Sequence, residues 1–296
     1  MENKKTIIVL IITLSLLVIA ILTFMIGMIF GGISFMNFKH MRKFKVSNSL
    51  VLDEIYENKF NHIEIESDAS DIYIKETNDN KSKVVIYGDP KRTEVTTENN
   101  KLLIKSKAKK CVFFCVNVES SKIEIYLPKD YNNTIDIEND YGDIEIGNFK
   151  ESNIKIKESC GDIFVSSAQN IDIINDYGDV EINNGNIINV KESCGDVIIG
   201  TVNDLTVENK YGDIDIKNVN NYMDIKEDCG DIEIDNVKIN KNSYIKNSLG
   251  NIEINSTNDI RINAKTSLGD TEVKNNYQSD IVLTIKNNCG DIEVNN

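Results

Sequence analysis

Tryptophan is absent from this chain, and only two prolines and two histidines occur in 296 residues. So few prolines exclude a Pro-rich stalk, while 27% charged residues leave a folded acidic domain open. Without Trp there is no large aromatic platform for a sugar. There is no Cys-x-x-Cys, and His40 and His62 lie far from most of the six cysteines, so no zinc pattern can be written. Positive charge is also short, with 33 Lys and Arg against 47 Asp and Glu and a formal charge of -14. Binding a phosphate backbone requires clustered Lys and Arg to release counterions. The chain offers carboxylates instead, so no nucleic-acid partner is expected, and the sequence calls for no cofactor.

Charge of either sign is missing from Thr6 to Phe35, TIIVLIITLSLLVIAILTFMIGMIFGGISF. About 20 apolar residues cross the hydrocarbon core of a bilayer. A cleavable signal needs a shorter apolar core and a small-residue cleavage site, and no clean site is present. The first cysteine is Cys111, so there is no lipobox. The reading is a transmembrane anchor over 1–36, a basic juxtamembrane linker over 37–49, irregular capping strands over 50–134 and a repeat region over 135–296. Lys39, Arg42, Lys43 and Lys45 outnumber Lys4 and Lys5 across the span. A bare charge count would therefore keep the large domain inside. That rule is weak for large translocated domains, and an extracytoplasmic repeat domain is expected.

What the chain has in abundance is one repeated phrase. NDYGDIEI (139–146) returns as NDYGDVEI (175–182) and NKYGDIDI (209–216), and related units lie between and beyond. The glycine falls at Gly142, Gly161, Gly178, Gly195, Gly212, Gly230, Gly250, Gly269 and Gly290, at separations of 17 to 21 residues. On both sides apolar and polar residues alternate, as in Ile135 and Ile137 before the first unit and Ile144 and Ile146 after it. Period-two alternation broken by a Gly turn marks short half-buried strands, and a fixed period marks a repeat architecture. The expected fold is all-β, a β-solenoid of stacked coils of about 18 residues, preceded by one transmembrane helix.

Because END-YGD and KES-CGD units alternate, a double-length coil of about 36 residues is an alternative. It would stack Lys157 on Lys191 and Glu158 on Glu192, and like charges side by side are unfavourable on a sheet. The short coil instead sets Glu138 beside Lys157, and Glu208 between Lys191 and Lys226. It also sets Cys160, Cys194, Cys229 and Cys289 beside Tyr141, Tyr177, Tyr211, Leu249 and Leu268. A position that accepts Cys, Tyr or Leu reads as apolar core, with Cys as a small hydrophobe. Cys111 and Cys115 form the best candidate disulfide if the domain lies outside.

Each glycine is read as supplying the positive φ of a tight corner. The following residue, at Asp143, Asp162, Asp179, Asp196, Asp213, Asp231, Asp270 and Asp291, can accept bonds from amides that the corner leaves unpaired. Stacked, these aspartates form a ladder, and hard cations favour several carboxylate oxygens. The spacing does not match the Gly-Gly-x-Gly-x-Asp calcium repeat, so structural turns are preferred and no metal site is assigned.

The order of apolar anchor, irregular strands, IEIYLPKD (123–130) and serial x-Gly-Asp-Ile/Val strands resembles the bacterial putative-adhesin family, a group of domains of unknown function that includes LiaG-like envelope proteins. The resemblance covers residues 50–296. It implies a membrane-anchored envelope β-solenoid and transfers no catalytic residue. Solenoids suit extended binding surfaces. The first function is accordingly a non-enzymatic envelope or surface module, with an envelope protein or polysaccharide as partner. The second is a self-assembling, bactofilin-like scaffold joined through coil ends, as sheet edges allow. A carbohydrate-active enzyme ranks third, because near-identical repeated carboxylates do not supply the unlike environments that an acid and a base require.

Overall fold

The computed structural model describes residues 45–57, 59–108, 119–274 and 277–295. The expected anchor, most of its basic linker and the Cys111–Cys115 pair lie outside them. No helix among the described residues is long and apolar enough to cross a membrane. The described residues are all-β, and their parallel strands stack as a β-solenoid.

The repeat follows from alternation. In the strand Ile144–Glu158, Ile144, Ile146, Phe149, Ile154 and Ile156 are buried, and the residues between most of them face solvent. Each coil runs as a pre-corner strand, the x-Gly-Asp corner, a post-corner strand and a bend. The next coil lies alongside in register. Ile144 pairs with Ile163, Ile163 with Val180, Val180 with Val197 and Val197 with Ile214. Most inward positions thus become continuous apolar rows, dominated by Ile and Val, and no coil has a core of its own. The short-coil charge pairing is present: Lys157 pairs with Glu138, and Glu208 lies between Lys191 and Lys226 at 3.3 and 3.0 Å.

Both ends depart from simple sequential stacking. At the C-terminal end, the strand Val282–Cys289 lies between Ser243–Leu249 and Arg261–Leu268, and Ile292–Val294 lies between Ile252–Thr257 and Thr271–Val273. The last coil in sequence is therefore the penultimate one in space. Its inward residues Leu283, Ile285, Ile292 and Val294 are apolar and almost completely buried. The coil outside it offers Ile262, Ala264, Thr271 and Val273. The more apolar coil takes the doubly covered position, which buries more hydrocarbon. At the other end the coil His62–Thr77 is inserted between strands Lys101–Ser106 and Glu119–Pro128 on one side and strands Thr134–Asn139 and Ile144–Glu158 on the other. The antiparallel strands Leu50–Tyr56, Ser82–Tyr87 and Thr93–Glu98 then cover the outermost coil. This is the shielding that a terminal repeat requires.

The candidate site: a corner ridge above a buried polar ladder

Corner stacking explains the glycines, though not wholly as the sequence suggests. φ is positive at Gly142, Gly178, Gly212, Gly250, Gly269 and Gly290. At Gly161, Gly195 and Gly230 it lies outside that range, so the expected left-handed corner is absent there. Close approach is the cause shared by all nine. A Cβ on Gly178 would fall 2.1 Å from the Gly161 carbonyl oxygen, and one on Gly161 would fall 1.9 Å from that of Gly142. Backbone amides then tie corner to corner, Gly142 N donating to Cys160 O at 3.1 Å and Gly161 N to Tyr177 O at 2.9 Å.

The aspartates serve the coil beside them. Asp143 Oδ1 accepts from the Asp162 amide at 3.1 Å, Asp162 from Asp179 at 3.1 Å, Asp179 from Asp196 at 3.0 Å, Asp196 from Asp213 at 2.9 Å and Asp213 from Asp231 at 2.8 Å. Asn251 takes the same place in its coil, accepting from Asp291 at 3.0 Å, and Asp291 accepts from Asp270 at 2.8 Å. One oxygen of each ladder side chain from Asp143 to Asp231, and of Asn251 and Asp291, is thereby committed to a neighbouring amide, while Asp270 ends the ladder as a donor only. Among the described residues no group of three or more His, Cys, Asp or Glu is placed to hold a metal ion.

The residues before the corner glycines are not core, which corrects the sequence expectation. Tyr177 and Tyr211 are each 61% exposed and Leu268 is 70% exposed, while Tyr141 and Leu249 are also open to solvent. Cys160, Cys194, Cys229 and Cys289 are exposed thiols. The last inward residue before each corner lies two positions earlier, and the corner then turns this side chain outward. Alternation cannot be extended through a turn. The register alternates large and small, with Tyr211 beside Cys229, Cys229 beside Leu249, Leu249 beside Cys289 and Cys289 beside Leu268. Successive cysteines are two coils apart, about 9.6 Å at the usual strand spacing. That is beyond the Cα separation a disulfide tolerates. The ridge is an unbroken aromatic, thiol and aliphatic strip.

Beneath the ridge runs a feature that the sequence reading missed. Asn139, Glu158, Asn175, Glu192, Asn209, Glu227, Asn247 and Asn287 form one buried row, in register from coil to coil. The asparagines hold corner carbonyls: Asn175 Nδ2 donates to Gly178 O at 3.0 Å, and Asn247 Nδ2 to Gly230 O at 2.7 Å. The glutamates hold corner amides. Glu192 Oε1 accepts from Ser193 and Cys194, both at 3.0 Å, and Glu227 Oε1 from Asp228 and Cys229 at 3.1 and 3.0 Å. Desolvation pushes the Glu158 carboxyl up to about 8 and those of Glu192 and Glu227 to about 7, against partial compensation by these hydrogen bonds. Glu192 Oε2 and Asn175 Oδ1, in neighbouring coils, both lack a protein donor. A protonated Glu192 converts one of these acceptors into a donor, the state that burial favours. The alternation of END and KES units carried this signal, since the position two before Tyr is Asn and the position two before Cys160, Cys194 and Cys229 is Glu.

Two surface grooves are shallow, about 160 and 230 Å³, below the usual range of small-molecule sites. An in-register parallel β-solenoid with polar-braced corners is a repeat domain whose chemistry lies along its surface. The chain belongs to the Toastrack DUF4097 family, whose pattern matches residues 60–191 and 186–296. It is similar to a crystal structure of a putative adhesin from Bacteroides fragilis, 20% identical, covering 84% of this chain and 99% of that one at a TM-score of 0.45. A putative adhesin from Parabacteroides merdae is 11% identical over 84% and 98% of the two chains, at a TM-score of 0.39. A putative cell adhesion protein from Clostridium sporogenes is 13% identical over 82% and 98%, at a TM-score of 0.27. No curated protein matches the sequence.

Proposed function

We propose that this chain is a non-enzymatic, membrane-anchored module of a bacterial envelope or surface, with adhesion or envelope assembly as its role. The uncharged run 6–35 holds it to the membrane, and the solenoid lies outside the cytoplasm. The carrying observation is the exposed ridge of Tyr141, Tyr177, Tyr211, Leu249 and Leu268, interleaved with thiols and edged by the Asp ladder. Soluble surfaces rarely leave a long contiguous apolar strip without a partner, and Tyr is enriched where partners meet. Repetition at one strand spacing suits an extended partner, an envelope protein or polysaccharide, rather than a small substrate.

Two measurements test this reading. Protease added to intact cells is expected to digest the repeat domain, and a domain protected until lysis would reject the orientation. Sedimentation of the full chain in non-ionic detergent with isolated cell-wall material is expected to fall when Tyr177 and Tyr211 are both changed to Ser. Wild-type and variant chains that sediment alike would reject the ridge as the contact.

A further inference from the structure

Outside the ridge, two columns of charge change character in the same coils. On the pre-corner sheet the outward column begins mixed, as Glu138, Lys157, Ile174, Lys191, Glu208. It then becomes four consecutive lysines: Lys226 pairs with Lys246, Lys246 with Lys286 and Lys286 with Lys265. On the post-corner sheet the outward column begins as Glu145, Phe164, Glu181, Ile198. It then becomes five consecutive carboxylates, Asp215, Glu233, Glu253, Glu293 and Glu272. Directly paired like charges destabilise a sheet. Lys226 is relieved by Glu208 at 3.0 Å, and Glu293 by Lys274 at 3.6 Å. Lys286 lies 5.7 Å from the Tyr244 ring centroid. Asp215 carries the strain of its column, its carboxyl pushed up by desolvation and then by the Glu233 charge.

We propose that the lysine column of one copy docks on the carboxylate column of a second copy of this chain. A polyanion would account for the lysines alone, and a cation for the carboxylates alone. A second copy accounts for both, and its charge spacing matches by construction, since both columns repeat at the strand spacing of about 4.8 Å. The two columns lie on different sheets, so each copy keeps one of them unused. The contact is heterologous and extends copies into an open array side by side. It is distinct from joining coil ends.

The test uses the full chain in non-ionic detergent with a chelator present, followed by sedimentation velocity from about 0.1 M to 1 M salt, across which the screening length falls from about 10 Å to about 3 Å. Wild type is expected to associate at the lower salt and to separate at the higher. Lys246→Glu with Lys286→Glu, and separately Glu253→Lys with Glu293→Lys, are each expected to weaken association about tenfold or more. An equimolar mixture of the two variants restores opposite charge across the same contact and is expected to associate again. Circular dichroism melts establish that both variants are folded, and all four substitutions are at outward positions. Wild type that stays one size at every salt with chelator present, or a mixture no more associated than its components, would each overturn the proposal.

Discussion

At the scale of single residues, Gly161→Ala should destabilise the domain as much as Gly178→Ala. Only Gly178 has a positive φ, but both added methyl carbons run into a carbonyl oxygen of the neighbouring corner. A loss of about 2 kcal/mol or more is expected for each, read as a lower melting temperature. A neutral Gly161→Ala would contradict the close-approach account. Asp179→Asn should be nearly silent, because Asn251 already performs the same role in its own coil. Asp179→Ala strands the Asp196 amide at an exposed corner, for about 1 kcal/mol. The buried glutamates have a definite sign. Their folded pKa values of about 7 to 8 lie above the ordinary 4.5. Their contribution is therefore complete below pH 4.5 and is lost as pH rises through 7 to 8. Thermal melts should show the domain more stable near pH 5 than near pH 8.5. Changing Glu158, Glu192 and Glu227 together to Gln should flatten that slope, and an unchanged slope would refute the neutral-acid ladder.

At the scale of elements, the strands were legible because alternation reports burial directly: Ile154 and Ile156, or Ile232 and Ile234, are inward in the structure as the sequence implies. The coil length was legible from charge, since only the short coil pairs Glu208 with two lysines. Corner side chains were not legible. A turn breaks the period of two, and the preference for Tyr, Cys or Leu says apolar without saying which side. Coil order at the ends was hidden for a related reason. Repeats with the same inward pattern can exchange places, and the choice rests on whether Leu283, Ile285 and Ile292 or Ile262, Ala264 and Thr271 take the doubly covered row. The insertion predicts an unusual truncation phenotype. Removing residues 277–296 deletes an inner coil and leaves residues 261–273 without their only strand partners among the described residues. Limited proteolysis should then cut between 258 and 274, whereas in a sequentially stacked solenoid that coil would survive.

At the scale of the whole molecule, the Asp ladder braces corners and the ridge faces outward. A cation bound only by the folded state would raise stability by roughly 2.7 kcal/mol at a hundredfold excess over its dissociation constant. With one oxygen of every ladder residue but the terminal Asp270 held by an amide, melting of the full chain in detergent should be the same in calcium and in chelator at matched ionic strength. A saturable calcium shift, lost on changing Asp179 and Asp196 to Asn, would contradict the bracing role. The outward ridge is tested most directly by thiol alkylation of the folded full chain, with modified sites mapped by mass spectrometry. Cys160, Cys194, Cys229 and Cys289 are predicted all to be modified under native conditions, at rates within about tenfold of those after unfolding, as exposed thiols should be. Cysteines that stay unmodified until the domain is melted would put that row of side chains back in the core and contradict the account.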